Sequence, residues 1–178
     1  MGEFQQIISL AGAFVLMSGC TGPQPTRFDS VVVRGTASFQ QQVTNALVVL
    51  KTKAPAAYAT VTNEIGIIEQ GKRSGMRAWL KPPKFELADG SAFYSLTWCA
   101  ATIGHDSLHS KLYHDYLKQH PGASRVPDSV WKGEGPEHLC SQHEVQVLKD
   151  IRAPLYEINW CSQTNNRYWE VDYGKRNW

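Results

Sequence analysis

No Cys-x-x-Cys pair occurs among the four cysteines, Cys20, Cys99, Cys140 and Cys161, so neither a zinc knuckle nor a dithiol redox motif is available. There is no dense basic face either. The 18 Lys and Arg stand against 16 Asp and Glu, and a net charge of +2 is too balanced for a protein that grips nucleic acid by neutralising phosphates. Beyond the first 20 residues nothing is apolar for long enough to span a bilayer. Internal repeats and low-complexity tracts are absent. What is there, 178 residues of which 42% are apolar and 19% charged, excludes an extended disordered chain and is enough for one domain with a full core.

The N-terminus is a different material. Ile7 to Met17 (IISLAGAFVLM) is a continuous apolar run of eleven residues, followed by Ser18, Gly19 and Cys20. Its length is that of the apolar stretch of a secretory signal, short of a membrane span. The run ending in small residues and a cysteine resembles the lipobox of bacterial lipoproteins, with Met17 where that motif usually has Leu. The resemblance implies cleavage before Cys20, a diacylglycerol on its thiol, and an exported protein anchored to a membrane in the periplasm or at the cell surface. Removal of 1–19 takes away Glu3 and no base, which moves the net charge from +2 to +3. Residues 20–35 then read as a tether, richest in Pro, Gly and Thr over Thr21 to Thr26, and 36–178 as the folded domain.

Hydrophobic spacing outlines the body. Phe39, Val43, Ala46, Leu47 and Leu50 recur at helical intervals between Thr36 and Lys53. Ala54-Pro55 breaks that helix, and Pro55 suits the first turn of a second one reaching Asn63. Ile65 to Gln70 and Met76 to Leu80 read as strands around the turn 70–75, and Lys84 to Leu87 as a short extended piece. A long helix is expected from Phe93 to Gln119, a loop from His120 to Pro136, and a second amphipathic helix from Glu137 to Ile151. Tyr168 to Tyr173 (YWEVDY) alternates as a strand does. The order predicts an α+β domain: N-terminal helices, a small antiparallel sheet, then two further helices.

Histidines concentrate on those two helices: His105, His109 and His114 on the first and His138 on the second. His105 and His109 are spaced i, i+4, which places both rings on one helix face within reach of a single metal ion. The preceding Trp98-Cys99-Ala100-Ala101-Thr102-Ile103 is apolar and small, so this helix is buried, and a buried His pair needs partners. Five residues compete for a third ligand. Asp115 and His114 rotate off the face by about 240° and 140° if the helix runs on through Leu112. Glu134, Glu137 and Glu144 belong to the second helix or the loop before it, and Glu137 opens the helix.

Here the chain resembles the gluzincin branch of zinc metallopeptidases, in its minimal single-domain form, over about Ile65 to Pro154. His105 and His109 match the two His of HExxH, and Glu137, 28 residues after His109, matches the third ligand. The resemblance implies a zinc ion on His105, His109 and Glu137 with the fourth position open to water, Asp106 as general base, and a peptide or protein substrate. Asp106 departs from the family's Glu; one methylene shorter, it reaches about 1.5 Å less far. His143, Tyr168 or Tyr173 could stabilise an oxyanion. If the helices cross at a common metal, a Cys99–Cys140 disulfide would staple them, with Cys140–Cys161 the competing pairing. The alternative function is a zincin-like lipoprotein that binds an envelope partner without catalysis, its aromatic tail (Tyr168, Trp169, Tyr173, Trp178) serving as a recognition surface.

Overall fold

A computed structural model describes residues 23–163 and Lys175. The chain opens with a hairpin of β1 (Thr26–Phe28) and β2 (Val31–Arg34), turning at Asp29 with φ +47°, a conformation Asp tolerates better than most side chains. Then follow α1 (Ala37–Lys53), α2 (Pro55–Glu64), β3 (Ile67–Gly71), β4 (Gly75–Arg77), β5 (Lys84–Ala88), α3 (Asp89–Ala92), α4 (Leu96–Gln119), α5 (Asp128–Trp131), α6 (Glu134–Asp150) and α7 (Leu155–Ser162). The class is α+β, as expected. The leader, Cys20 and the expected strand Tyr168 to Tyr173 lie outside the described residues.

Two expectations about the sheet need correction. It is mixed, not antiparallel: the order is β1-β2-β3-β5-β4, with β2, β3 and β5 parallel and only the edge strands β1 and β4 antiparallel to their neighbours. The cause is topological. Helices α1 and α2 intervene between β2 and β3, and a crossover of that length returns the chain in the same direction. β4 folds back onto β5, with Met76 opposite Phe85, rather than onto β3 across the 70–75 turn. Consecutive Ile67 and Ile68 on the central β3 are both buried, as a strand covered on both faces requires. The segment 20–35 is also not tether throughout, because β1 and β2 belong to the sheet and Val31 and Val33 are fully buried.

Helix boundaries follow their caps. Thr36 caps α1, its hydroxyl accepting from the Phe39 N–H, and the predicted Phe39–Leu50 stripe is buried. The long helix begins at Leu96 rather than Phe93, since the Ser95 hydroxyl accepts from the Trp98 N–H at 2.8 Å. Buried Glu157 of α7 locks that cap, accepting from Ser95 Oγ and Thr97 Oγ1 at 2.7 Å each. α6 begins three residues before its expected start, directly after Gly133 at φ +90°. The expected loop 120–136 therefore holds α5 and the first turn of α6.

α4 is the central spine, packed against α1, α2 and α6. The residues it buries are small: Cys99, Ala100, Ala101, Gly104, Ser107 and Ser110 accompany Ile103, His105, Asp106 and His109. At Gly104 the approach to α6 is tight, and a Cβ there would lie 3.2 Å from Val147 Cγ2. The core continues through Phe39, Leu47, Ile68, Phe85 and Leu148, whose largest members each contribute about 1.5–3 kcal/mol of burial. Among the described residues no helix is long and apolar enough to cross a membrane.

Candidate metal centre

α4 and α6 pack side by side, and their facing stripes build the site. α4 contributes His105, Asp106 and His109; α6 contributes Glu137, Cys140 and Glu144, spaced i, i+3, i+7 along one face. All six are more than nine-tenths buried, Cys140 fully. Helical spacing sets the His105 and His109 ring centroids 4.9 Å apart. Nε2 of His105 and Nε2 of His109 approach to 3.1 Å, and Glu137 Oε2 lies 3.3 Å from each. The structure thus brings together the three side chains named from sequence.

The far sides of both rings are held as well. His105 Nδ1 lies 3.0 Å from Glu144 Oε2 and His109 Nδ1 lies 2.6 Å from the Trp131 carbonyl. A carbonyl and a carboxylate only accept, so Nδ1 carries the proton in both rings. That tautomer turns both Nε2 atoms toward Glu137 Oε2. Two ring nitrogens and a carboxylate oxygen converging at 3.1–3.3 Å are held together by positive charge among them, as a metal ion or as protons on the rings. The edges of a tetrahedral zinc site, from bond lengths of about 2.0–2.1 Å, measure about 3.3–3.4 Å, so this triangle fits zinc within a few tenths of an ångström.

Electrostatics point the same way. Burial disfavours a charged His105, yet hydrogen bonds to Glu137 and Glu144 hold its pKa well above the ordinary value. Burial alone would raise Glu137; the bonds to His105 and His109 instead hold its carboxyl far below the carboxylate range. Asp106 is pushed up to about 6 by burial, against the pull of both His. Burial, with the carboxylates of Glu137, Asp106 and Glu144, drives the Cys140 thiol well above its ordinary value. Three carboxylates crowd two imidazoles and a thiol in a buried space, and a divalent cation would offset much of their charge.

The cysteines require a correction: Cys99, Cys140 and Cys161 are all free thiols, so neither expected disulfide is present. Cys99 precedes His105 by six residues, about 120° round the α4 axis, and is buried in the hydrophobic core. Burial, with the carboxylate of Glu144, drives the thiol of Cys161, on α7, well above its ordinary value. Cys140 instead joins His105 and His109 in a group whose ligand atoms all lie within 4.8 Å of one another, a cluster that could hold a metal ion.

Of the rival third ligands, Asp115 and His114 have partners of their own elsewhere, as the rotation along α4 requires. Asp115 pairs with Lys111 and Lys118. His114 bridges Glu64 at 2.7 Å and the Ala78 carbonyl at 3.1 Å. Glu134 is exposed, and Glu144 serves the outer side of the His105 ring. His143 stands one residue before Glu144 and its buried Nε2 has no hydrogen-bond partner among the described residues. Tyr168 and Tyr173 lie outside those residues. Three contributors escaped the sequence reading: Trp131, Cys140 and the outer role of Glu144. Two carried a signal, the Glu137-Cys140-Glu144 stripe; Trp131 acts through its backbone.

Fold and site together define an α+β protein with a buried His/His/Cys cluster capable of holding metal. No family model, curated protein or solved structure matches the chain.

Proposed function

We propose that the protein is an exported, lipid-anchored zinc metallopeptidase of zincin-like type, with His105, His109 and Glu137 as zinc ligands and Asp106 as general base. The observation that carries the reading is the triangle of His105 Nε2, His109 Nε2 and Glu137 Oε2, with edges of 3.1, 3.3 and 3.3 Å and each ring fixed from behind by an acceptor at Nδ1. Two imidazoles and one carboxylate are the donor set of hydrolytic zinc, which supplies polarisation of a carbonyl and acidification of water.

The chain's own residues do the rest. Glu144 and the Trp131 carbonyl orient the rings. Asp106, adjacent in sequence to His105 and nine-tenths buried, takes up a proton; its pKa near 6 leaves it ionised at neutral pH and basic enough to accept one. The leader ending at Cys20 supports placement at the cell envelope, where peptides or proteins would be the substrate. The shorter reach of Asp106 favours a second reading, a zinc-binding envelope module without catalysis.

Elemental analysis of protein purified without chelator or tag-borne metal tests the centre. One zinc per chain, lost in His105→Ala/His109→Ala, is expected; no zinc in the wild type refutes it. Hydrolysis of a mixed peptide pool by wild type but not Asp106→Asn supports the peptidase. Hydrolysis appearing only in Asp106→Glu assigns the native protein to the binding reading.

A further inference from the structure

We infer that Cys140 is the fourth zinc ligand in the resting protein, so that the centre is closed by its own chain and a substrate must displace the thiolate. The inference rests on the zinc reading above and goes beyond it, because an open position on the metal was the expectation from sequence.

Placement carries it. Cys140 follows Glu137 by three residues on α6, so the two side chains leave the helix on one face and point toward α4. Its side chain is fully buried, and its Sγ lies within 4.8 Å of a ligand nitrogen of both His105 and His109. Tetrahedral zinc with Zn–S of about 2.3 Å and Zn–N of about 2.0–2.1 Å sets sulfur and nitrogen about 3.6 Å apart. The 4.8 Å bound on the cluster exceeds that separation by about 1.2 Å. His105, His109, Glu137 and Cys140 then supply four donors, and four is the usual count for a closed zinc site.

Ligation has a defined proton balance. The Cys140 S–H bond breaks, its electron pair goes to the metal, and the proton leaves to a nearby carboxylate or to solvent; no oxidant or reductant is needed. A substrate carbonyl or a water gains access only when that sulfur is reprotonated and turned away. The protein would therefore be latent until something with affinity for the site competes with an internal thiolate.

Cobalt(II) titration of the full chain, followed by absorption spectroscopy, decides the matter. The expected result for wild type is one cobalt per chain with an intense near-ultraviolet thiolate-to-cobalt charge-transfer band. Cys140→Ser should bind cobalt at least about tenfold more weakly, keep the weaker visible bands of the ion, and lose the charge-transfer band; Cys161→Ser should keep it. Stoichiometric cobalt binding without that band, or a band surviving in Cys140→Ser, overturns the role of Cys140 and leaves the three-ligand centre intact. Failure to bind cobalt at all removes the centre itself and this inference with it.

Discussion

Removing and restoring zinc should shift the melting temperature of this protein by several degrees, and Glu137→Gln should abolish most of that shift. A ligand that binds only the folded state at a hundred times its dissociation constant stabilises by about 2.7 kcal/mol. For domains of about 150–250 residues each kcal/mol moves the melting point by about 2–4 °C, giving about 5–11 °C for wild type. Glu137→Gln keeps the side-chain shape but replaces the oxygen 3.3 Å from both Nε2 atoms with a neutral amide. Loss of an outer partner of a metal ligand costs about 10–100-fold in affinity, and loss of the anionic ligand should cost no less than the upper end. At the same free zinc the variant then gains about 0.4 kcal/mol, or about 1–2 °C. Calorimetry on chelated and zinc-loaded samples of each protein, every variant against its own chelated baseline, isolates the metal term. A wild type unmoved by saturating zinc, or a Glu137→Gln variant retaining the full shift, would refute the reasoning.

Further outcomes follow from the same geometry. Glu144→Ala removes the acceptor 3.0 Å from His105 Nδ1 and should weaken zinc binding about 10–100-fold in a chelator competition while all donors remain. Zinc must displace the Nε2 proton of the charged His105, a form that Glu137 and Glu144 favour; affinity should therefore rise with pH from below neutrality until above the ordinary histidine value, by about tenfold per unit for each proton released. A competition titration that is flat from pH 6 to 8 would contradict this. Asp106→Asn should retain zinc and lower hydrolysis by about 10²–10⁴-fold. Phe85→Ala, at a fully buried position on β5, should cost about 3–5 kcal/mol in urea denaturation; a loss under 1 kcal/mol would place Phe85 outside the core.

The sequence was most informative where a helix carries a long stripe. Phe39 to Leu50 marks α1, Pro55 marks the start of α2, and the rotation that sends Asp115 and His114 away from His109 holds through the whole of α4. Leu112, where a sharp turn would have needed glycine, lets that helix run on. Short strands are the opposite case. Thr26–Phe28 and Val31–Arg34 are too brief for a period of two to show, so they passed for tether. Strand direction is a property of the crossover through α1 and α2, not of any residue in β3, and no local pattern records it. In the site, His105 and His109 are readable from their i, i+4 spacing, whereas Glu137 rests on the metallopeptidase resemblance and not on spacing. The grip of the Trp131 carbonyl on His109 leaves no trace in side-chain identity. The expected Cys99–Cys140 disulfide follows from placing both thiols at the crossing of the two helices, whereas the i, i+3 spacing of Cys140 from Glu137 sets it beside the histidines instead.

Gly104 lets α4 and α6 approach closely beside the candidate centre. With only hydrogen at that position, α4 settles close against Val147 of α6. A methyl group there meets Cγ2 at 3.2 Å, so Gly104→Ala must push one helix outward by a few tenths of an ångström unless Val147 gives way. That increment is on the scale of the difference between zinc–oxygen and calcium–oxygen bond lengths, about 2.0–2.2 Å against about 2.3–2.6 Å. In the proposed zinc centre, choice among cations would then depend partly on a helix-packing residue one position before the first histidine, where a chemist looking only at the ligands would not search.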